Sequence, residues 1–282
     1  DITVTVTNVN DNSPVFTSGA AFSVVENQTG IGTITATDDD GDTLSFSLSG
    51  TDASSMSINS SSGVLVFNSA PDYETKTSYS ATVTASDGTN STTQDITITI
   101  TDIDDTAPVF TSSASFSAAE NQTSIGTVTA TDVDTDNASI TFSISGSELS
   151  ITSGGVLTFA STPDYETKSS YSATVTATDG TNSSTQDITV TVTNVNDNSP
   201  VFTSDAAFSV AENQTSVGTV IANDADGDTL TYSLSGADAS AFSINSSTGV
   251  IAFKSAPDYE TKTSYSVTVT ASDGTNADTQ SL

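Results

Sequence analysis

Tyr79-Ser80-Ala81-Thr82-Val83-Thr84-Ala85-Ser86-Asp87-Gly88-Thr89-Asn90 alternates apolar and hydroxylated residues and then breaks on an Asp-Gly pair. A period of two sends successive side chains to opposite faces of a strand, so this run reads as a strand with one dry face and one wet face. Downstream, Ile96, Ile98 and Ile100 alternate with Thr97, Thr99 and Thr101 in the same way. No window carries a convincing 3.6-residue period, and the chain reads as all-β.

Strands are expected at residues 21–25, 32–37, 44–48, 55–58, 64–67, 78–86 and 94–101. Turn signals such as Asp40-Gly41-Asp42 and Ser61-Ser62-Gly63 separate them. Seven short strands in about 93 residues point to an immunoglobulin-like, Greek-key β-sandwich.

The unit repeats. Glu26-Asn27-Gln28-Thr29 returns at Glu120 and Glu212, after 94 and then 92 residues. Pro71-Asp72-Tyr73-Glu74-Thr75-Lys76 returns from Pro163 and Pro257, and Asp87-Gly88-Thr89-Asn90 from Asp179 and Asp273. Asn10-Asp11-Asn12-Ser13-Pro14 returns from Asn196, and in altered form as Asp104-Asp105-Thr106-Ala107-Pro108. Self-similarity of this period marks a tandem array. The expected domains are residues 13–106, 107–198 and 199–282, arranged end to end. Residues 1–12 are read as the last strand and linker of a preceding repeat, because residues 1–8 match the end of repeat 2. Residues 280–282 are expected to stop where the last strand of repeat 3 begins, which would leave an unpaired edge there.

Composition removes whole classes of chemistry. The 282 residues contain no Cys and no His, which excludes disulfides, thiolate and imidazole metal sites, and Ser-His-Asp catalysis. Thirty-five acids against four lysines give a net charge of −31. Nucleic acid and anionic membrane surfaces both need basic residues, and neither is a partner for this chain. No apolar stretch of about 20 residues is present, so no direct membrane insertion is expected.

The acids sit at strand ends and linkers rather than along strand faces. A strand of eight residues is only ~26 Å long, so every second connection returns to the same pole of a sandwich. Glu26, Asp72 and Glu74 should share the pole facing the next repeat. Asp38, Asp40 and Asp87 should share the opposite one. At the first complete junction Glu26, Asp72 and Glu74 would meet the linker acids Asp102, Asp104 and Asp105 and, from repeat 2, Asp132, Asp134 and Asp179. Each like-charged pair at 4 Å costs about 4 kcal/mol at an effective dielectric near 20, so nine carboxylates demand a counter-ion. Dense hard oxygens with main-chain carbonyls nearby suit Ca2+ better than Mg2+, which keeps its waters. A lone Asp-Gly or Asp-x-Asp is most often a turn; five acidic elements recurring together are not explained that way. Asp224-Ala225-Asp226-Gly227-Asp228 begins like an EF-hand loop, but Ser235 stands where that loop needs Glu.

This conjunction resembles the cadherin repeat, whose motifs are a lone Glu, Asp-x-Asp, Asp-Arg-Glu, Ala-x-Asp and an Asp-x-Asn-Asp-Asn-x-Pro linker. The matching residues are Glu26/Glu120/Glu212, Asp38–Asp40/Asp132–Asp134/Asp224–Asp226, and Asp-Tyr-Glu from Asp72, Asp164 and Asp258. Ala85–Asp87, Ala177–Asp179 and Ala271–Asp273 supply Ala-x-Asp, and linkers run over 8–14, 102–108 and 194–200.

The resemblance implies a small cluster of Ca2+ ions at each junction, usually three in the family. Glu120, Asp164, Glu166 and Asp197 would bind the first two at the second complete junction. Asn196, Asp224, Asp226, Asp273 and the main-chain oxygen of Asn198 would bind the third. Asn10, Asn12, Asp38, Asp40 and Asp87 would hold one ion at the amino end, whereas Glu212, Asp258 and Glu260 lack a linker. Asn8 and Asn194 replace the linker's first Asp, Asp104 and Thr106 replace Asn, and Tyr replaces Arg between Asp72 and Glu74. No Trp is present, so the Trp-anchored strand exchange of vertebrate cadherins is not carried over. The Ser/Thr/Asp-rich style and near-identical repeats resemble a bacterial surface or secreted array.

The expected function is a calcium-stiffened, extracellular, cell-surface module supporting adhesion, with calcium and the neighbouring repeats as partners. The alternative is recognition of cell-surface glycans or of another copy of the chain, with Tyr73, Tyr165 and Tyr259 as possible aromatic contacts. A glycosidase pair at Asp72 and Glu74 is disfavoured by its triplication. No enzymatic activity is expected. The sequons Asn27-Gln28-Thr29 and Asn121-Gln122-Thr123 are explained by the adjoining Glu.

Overall fold

A computed structural model describes residues 1–134 and 139–282. The chain divides into two compact units. The first comprises Asp1–Thr111, Ala130–Thr141 and Ala177–Ser184; the second comprises Ser112–Thr129, Phe142–Thr176 and Thr185–Leu282.

In the first unit, repeat 1 builds nine strands: β1 (Val15–Phe16), β2 (Ala21–Val25), β3 (Gly30–Thr33), β4 (Ala36–Thr37), β5 (Ser45–Ser49), β6 (Met56–Ile58), β7 (Val64–Phe67), β8 (Ser78–Ser86) and β9 (Ser91–Thr101). One sheet has the order β2-β9-β8-β5 and the other β3-β7-β6, with β1 and β4 paired at the side. Strand β2 runs parallel to the second half of β9, Ala21 opposite Thr97 through Val25 opposite Thr101. The alternation read from the sequence becomes the burial pattern: Ala81, Val83, Ala85, Ile96, Ile98 and Ile100 all point into the core. They meet Ile34, Leu65 and Phe67 from the facing sheet.

In the second unit the same pattern returns. Ser115–Ala119 runs parallel to the end of the strand Ser183–Thr193, and Ser124–Thr127 pairs with Val156–Phe159. Repeat 3 sets Ser216–Thr219, Val250–Phe253 and Phe242–Ile244 against Thr231–Ser235, Thr268–Ser272 and Ala277–Ser281. Among the described residues there is no α-helix, only short 3-10 turns such as Ala53–Ser55.

Several expectations need correction. The short strand Val15–Phe16 was not foreseen, and the strand expected over 32–37 is two pieces. The ladder slips between Gly30 and Gly32 against β7, a bulge that recurs at Ser124/Gly126 and Ser216/Gly218. The extra residue breaks the pairing and lets β4 turn to β1. The last strand also starts earlier than the apolar alternation suggested, at Ser91 rather than 94. In repeat 3 it is therefore present as Ala277–Ser281, antiparallel to Thr268–Ser272. Residues 1–8, which read as a strand, form no strand and are exposed, with Ile2 at 93% and Val6 at 90%.

Candidate metal centres

The centre at each of the two complete junctions begins with a buried glutamate. Glu26 directly follows β2 and is 1% exposed; Glu120 directly follows Ser115–Ala119 and is 3% exposed. Burying a carboxylate is costly unless its oxygens are satisfied. Glu26 Oε2 accepts the N–H of Tyr73 at 2.8 Å, and Oε1 accepts that of Ile103 at 2.9 Å. Glu120 repeats this with Tyr165 at 2.8 Å and Val195 at 2.7 Å. One side chain thereby ties the Asp-Tyr-Glu turn to the linker.

The following Asn adopts a left-handed conformation, φ 59° at Asn27, 62° at Asn121 and 65° at Asn213. Asn tolerates that region better than most residues. The turn aims its amide at the linker: Asn27 Nδ2 donates to Asp105 at 2.5 Å, and Asn121 Nδ2 donates to Asp197.

At the first complete junction, oxygens of Glu26, Asp72 and Glu74 lie within 4.8 Å of one another, and so do those of Glu74, Asp102 and Asp134. Glu74 joins the two groups. Asp134 Oδ2 accepts the N–H groups of Asp105 (3.1 Å) and Thr106 (2.6 Å), and Asp132 Oδ1 accepts that of Asp134 at 2.9 Å. Asp179 Oδ1 accepts the N–H groups of Thr181 and Asn182, and Asn182 Nδ2 donates to Asp104 Oδ1 at 3.0 Å. Five of the nine expected carboxylates (Glu26, Asp72, Glu74, Asp102 and Asp134) fall in these two close groups; Asp105 and Asp132 adjoin Asp134 through main-chain hydrogen bonds, and Asp104 and Asp179 are bridged by Asn182.

At the second, Glu120, Glu166, Asp197 and Asp226 lie within 4.8 Å of one another. Asp226 accepts the N–H groups of Asp197 (3.1 Å) and Asn198 (2.8 Å) and the amide of Asn198 (2.8 Å). Asp224 Oδ1 accepts Asp226 N–H at 3.1 Å. Asp273 holds Thr275 and Asn276, and Asn276 Nδ2 donates to Asn196 Oδ1 at 2.9 Å and Asn198 O at 3.1 Å. Asp164 is held by Thr167 beside Glu166.

The amino-terminal group has the same build. Asp40 accepts the N–H groups of Asp11 and Asn12, and Asn90 Nδ2 donates to Asn10 Oδ1 and Asn12 O at 3.0 Å each. Asp38, Asp40 and Asp42 lie within 4.8 Å. Asp42 was not singled out from the sequence, although the Asp40-Gly41-Asp42 turn was its signal. Asn90, Asn182 and Asn276 were missed as well; their recurrence in every Asp-Gly-Thr-Asn was legible, but their linker partners were not. Glu212, Asp258 and Glu260 form a further, fully exposed group.

The charge of these groups is under stress. Loss of hydration, then Asp134 and Glu26 beside it, push Glu74 up to about 7. Burial, with Asp134 and Glu26 nearby, raises Asp102; burial, with Glu120 and Asp226 nearby, raises Glu166. Hydrogen bonds from Asn198 hold Asp226 below the usual carboxylate range. No lysine relieves the clusters. Lys76, Lys168 and Lys262 pair instead with Asp52, Glu148 and Asp238 on the sandwich sides, each over a tyrosine ring, and Lys254 donates to Ser240 O.

Tandem Greek-key sandwiches whose adjoining ends pool carboxylates around a short Asp/Asn linker define a class of β-repeat array. The chain belongs to the cadherin family, matching the cadherin domain over residues 20–101, 113–193 and 206–282. It is 34% identical to human Protocadherin Fat 4 over 96% of its length and 33% identical to human Cadherin-23 over 97%. It spans 6% and 9% of those relatives' lengths. The crystal structure of mouse Cadherin-23 EC22-24 superposes with a TM-score of 0.77 at 27% identity, covering 96% of this chain and 98% of that one. Cadherin repeats are non-enzymatic, typically calcium-binding modules of extracellular regions. The bacterial style expected from composition gains no support, since these relatives are animal proteins.

Proposed function

We propose that this chain is a calcium-dependent structural and adhesive segment of an extracellular, cell-surface array, in which Ca2+ at each junction stiffens the link between neighbouring repeats. The observation that carries this reading is the pooling of carboxylates from one repeat, its linker and the next repeat at both complete junctions, with no lysine among them.

The donor set fits the ion. It is entirely oxygen, as Ca2+ prefers, and flexible enough for its six to eight ligands. At each centre a buried aspartate oxygen has no hydrogen-bond partner: Asp38 and Asp87 at the amino end, Asp179 at the first junction, Asp224 and Asp273 at the second, each through Oδ2. Buried polar atoms are seldom left so, and a cation would satisfy them. Glu26, Asp72, Glu74, Asp102, Asp104, Asp105, Thr106, Asp132, Asp134 and Asp179 would hold the ions at the first junction. Glu120, Asp164, Glu166, Asn196, Asp197, Asn198, Asp224, Asp226 and Asp273 would hold those at the second. The bound ion would supply positive charge; the chain would supply the geometry and the hydrogen bonds that keep the linker in place.

Titration with calcium, followed by a chelator, tests the reading by small-angle scattering and calorimetry. Chelation should broaden the range of interdomain distances and lower the melting temperature, because an ion bound only by the folded state stabilises it. Identical scattering with and without chelator would refute the proposal.

The alternative, direct glycan recognition, draws on Tyr259 and Tyr165, which are 65% and 36% exposed. Tyr73 packs against the core of repeat 1, so the three do not make equivalent platforms. Retention on glycan resin independent of calcium would favour this alternative.

A further inference from the structure

We propose that Lys76 and Lys168 are positioning residues for the calcium centres, each clamping the Asp-Tyr-Glu segment of its repeat to the side of the sandwich. This role rests on the calcium reading above and adds what keeps the acidic segment in place before an ion arrives. The chain has 35 acids and only four cationic side chains. Three of the four, Lys76, Lys168 and Lys262, occupy one position of the repeat, two residues after the Glu of Asp-Tyr-Glu. Cations spread for charge balance would not gather there. Each meets an acid and a ring. Lys76 bonds Asp52 and stands 4.6 Å from the centre of the Tyr79 ring; Lys168 bonds Glu148, 4.5 Å from Tyr171; Lys262 bonds Asp238, 4.7 Å from Tyr265. The rings are fixed in turn, edge-on against Phe67, Phe159 and Phe253 at 4.9, 5.1 and 5.0 Å. A cation over an aromatic face and paired with a carboxylate is held from two sides.

The acid partners point the same way. Asp52 and Asp238 precede a 3-10 turn, Ala53–Ser55 and Ala239–Ala241. Repeat 2 has a shorter loop there, Gly146-Ser147-Glu148, which leads directly into the strand Leu149–Ile151. The loop differs, yet an acid with a longer side chain still reaches the lysine. Main-chain bonds carry the clamp to the metal ligands. Lys76 N–H donates to Asp72 O at 2.9 Å and Lys168 N–H to Asp164 O at 2.9 Å, each closing a turn that contains the Glu. At the other end of the segment, Asn27 N–H holds Pro71 O and Glu26 holds Tyr73 N–H. The segment is thus fixed to the pole at one end and to the sandwich side at the other. The second attachment matters because Glu26, Asp102 and Asp134 crowd Glu74 and repel it. Ligands already held in place cost less to order when the ion binds.

Charge and positioning predict opposite signs. Lys76→Met removes a cation two residues from Glu74, so long-range attraction alone would tighten calcium binding. Loss of a clamp should weaken it, by about tenfold, the low end of what losing a group that orients a metal ligand costs. Asp52→Asn should weaken it too, and Lys76→Met with Asp52→Asn should be no worse than either alone, since both break one contact. Charge alone would make the two changes cancel. Lys76→Arg keeps the ion pair and the ring stacking and should restore most of the affinity. Amide exchange on the full 282-residue chain, titrated with calcium, reads each junction separately. Asp105 and Thr106, bonded to Asp134, report on Lys76; Asp197 and Asn198, bonded to Asp226, report on Lys168→Met. The Lys168→Met effect should be the smaller, because the Glu148 side chain is 56% exposed against 13% for Asp52. Exchange at the core residues Val83 and Ile98 should stay slow in every variant, which separates lost positioning from unfolding. A wild type that responds to calcium, with Lys76→Met responding at the same or a lower concentration, would overturn the clamp. Wild-type amides indifferent to calcium would overturn the calcium reading itself.

Discussion

A carboxylate crowded by others and partly desolvated has two ways out, a proton or a cation. Glu74 shows the competition most clearly, with Asp134 and Glu26 beside it and its pKa pushed from an ordinary 4.5 up to about 7. Between those values the folded chain keeps a proton that the unfolded chain releases. This contribution to stability is therefore whole below about pH 4.5 and fades as pH rises towards 7. Metal-free protein should melt progressively lower between pH 5 and 7, and Glu74→Gln should flatten the trend. Calcium must displace that proton, so binding at pH 6 should release protons in the wild type and fewer in the variant. Calorimetry in two buffers of different ionisation enthalpy reads this directly, and equal heats in both would mean that Glu74 enters the complex already ionised.

At the scale of elements, the turn before β7 carries a requirement that repeats three times. Gly63 has φ +68°, and a Cβ there would stand 2.1 Å from Ile34 O; Gly155 and Gly249 meet Val128 O and Val220 O at 2.2 and 2.3 Å. The close approach is functional for the sheet, because Ile34 N–H donates to Gly63 O at 2.9 Å. Gly63→Ala adds left-handed strain to that clash and should cost roughly 2 kcal/mol or more. Gly41→Ala, also at positive φ (+80°) but with nothing within 4 Å, should cost only the strain, about 1–2 kcal/mol. Denaturant midpoints distinguish them, and equal losses would show that the contact with Ile34 relaxes freely. The Ser-Ser-Gly signal at 61–63 was legible as a turn, but its partner across the sandwich was not. The same limit governed the strands. Alternation revealed where Ile96, Ile98 and Ile100 pack, whereas Ser91–Thr93 join β9 through main-chain pairing alone, which leaves no apolar trace. The split between β3 and β4 comes from a bulge whose only mark is a pair of small residues. The poles, in contrast, were legible from strand length: Glu26 and Asp72 had to return to one end and Asp38 and Asp87 to the other. What spacing did not reveal was that Asn27 and Asn90 hold the linker in register.

Over the whole molecule, a net charge of −31 makes salt and calcium act on the same quantity in opposite directions. Without calcium, like charges gathered at the junctions oppose folding, and added salt screens them over a Debye length of about 10 Å at 0.1 M. Raising KCl from 10 mM to 0.5 M should lift the metal-free melting temperature by several degrees. With calcium present near its dissociation constant, the same salt competes with the attraction between Ca2+ and the clusters. The stabilisation, which grows as the logarithm of free calcium relative to its dissociation constant, then shrinks because salt raises that constant. Salt should therefore raise the melting temperature in chelator and lower it in limiting calcium, with the two curves converging at high KCl. A salt effect of the same sign in both conditions would mean that the acids act only as a diffuse solvating surface. The four lysines do not blur the test, since three are committed to the side pairs with Asp52, Glu148 and Asp238 and the fourth to Ser240 O.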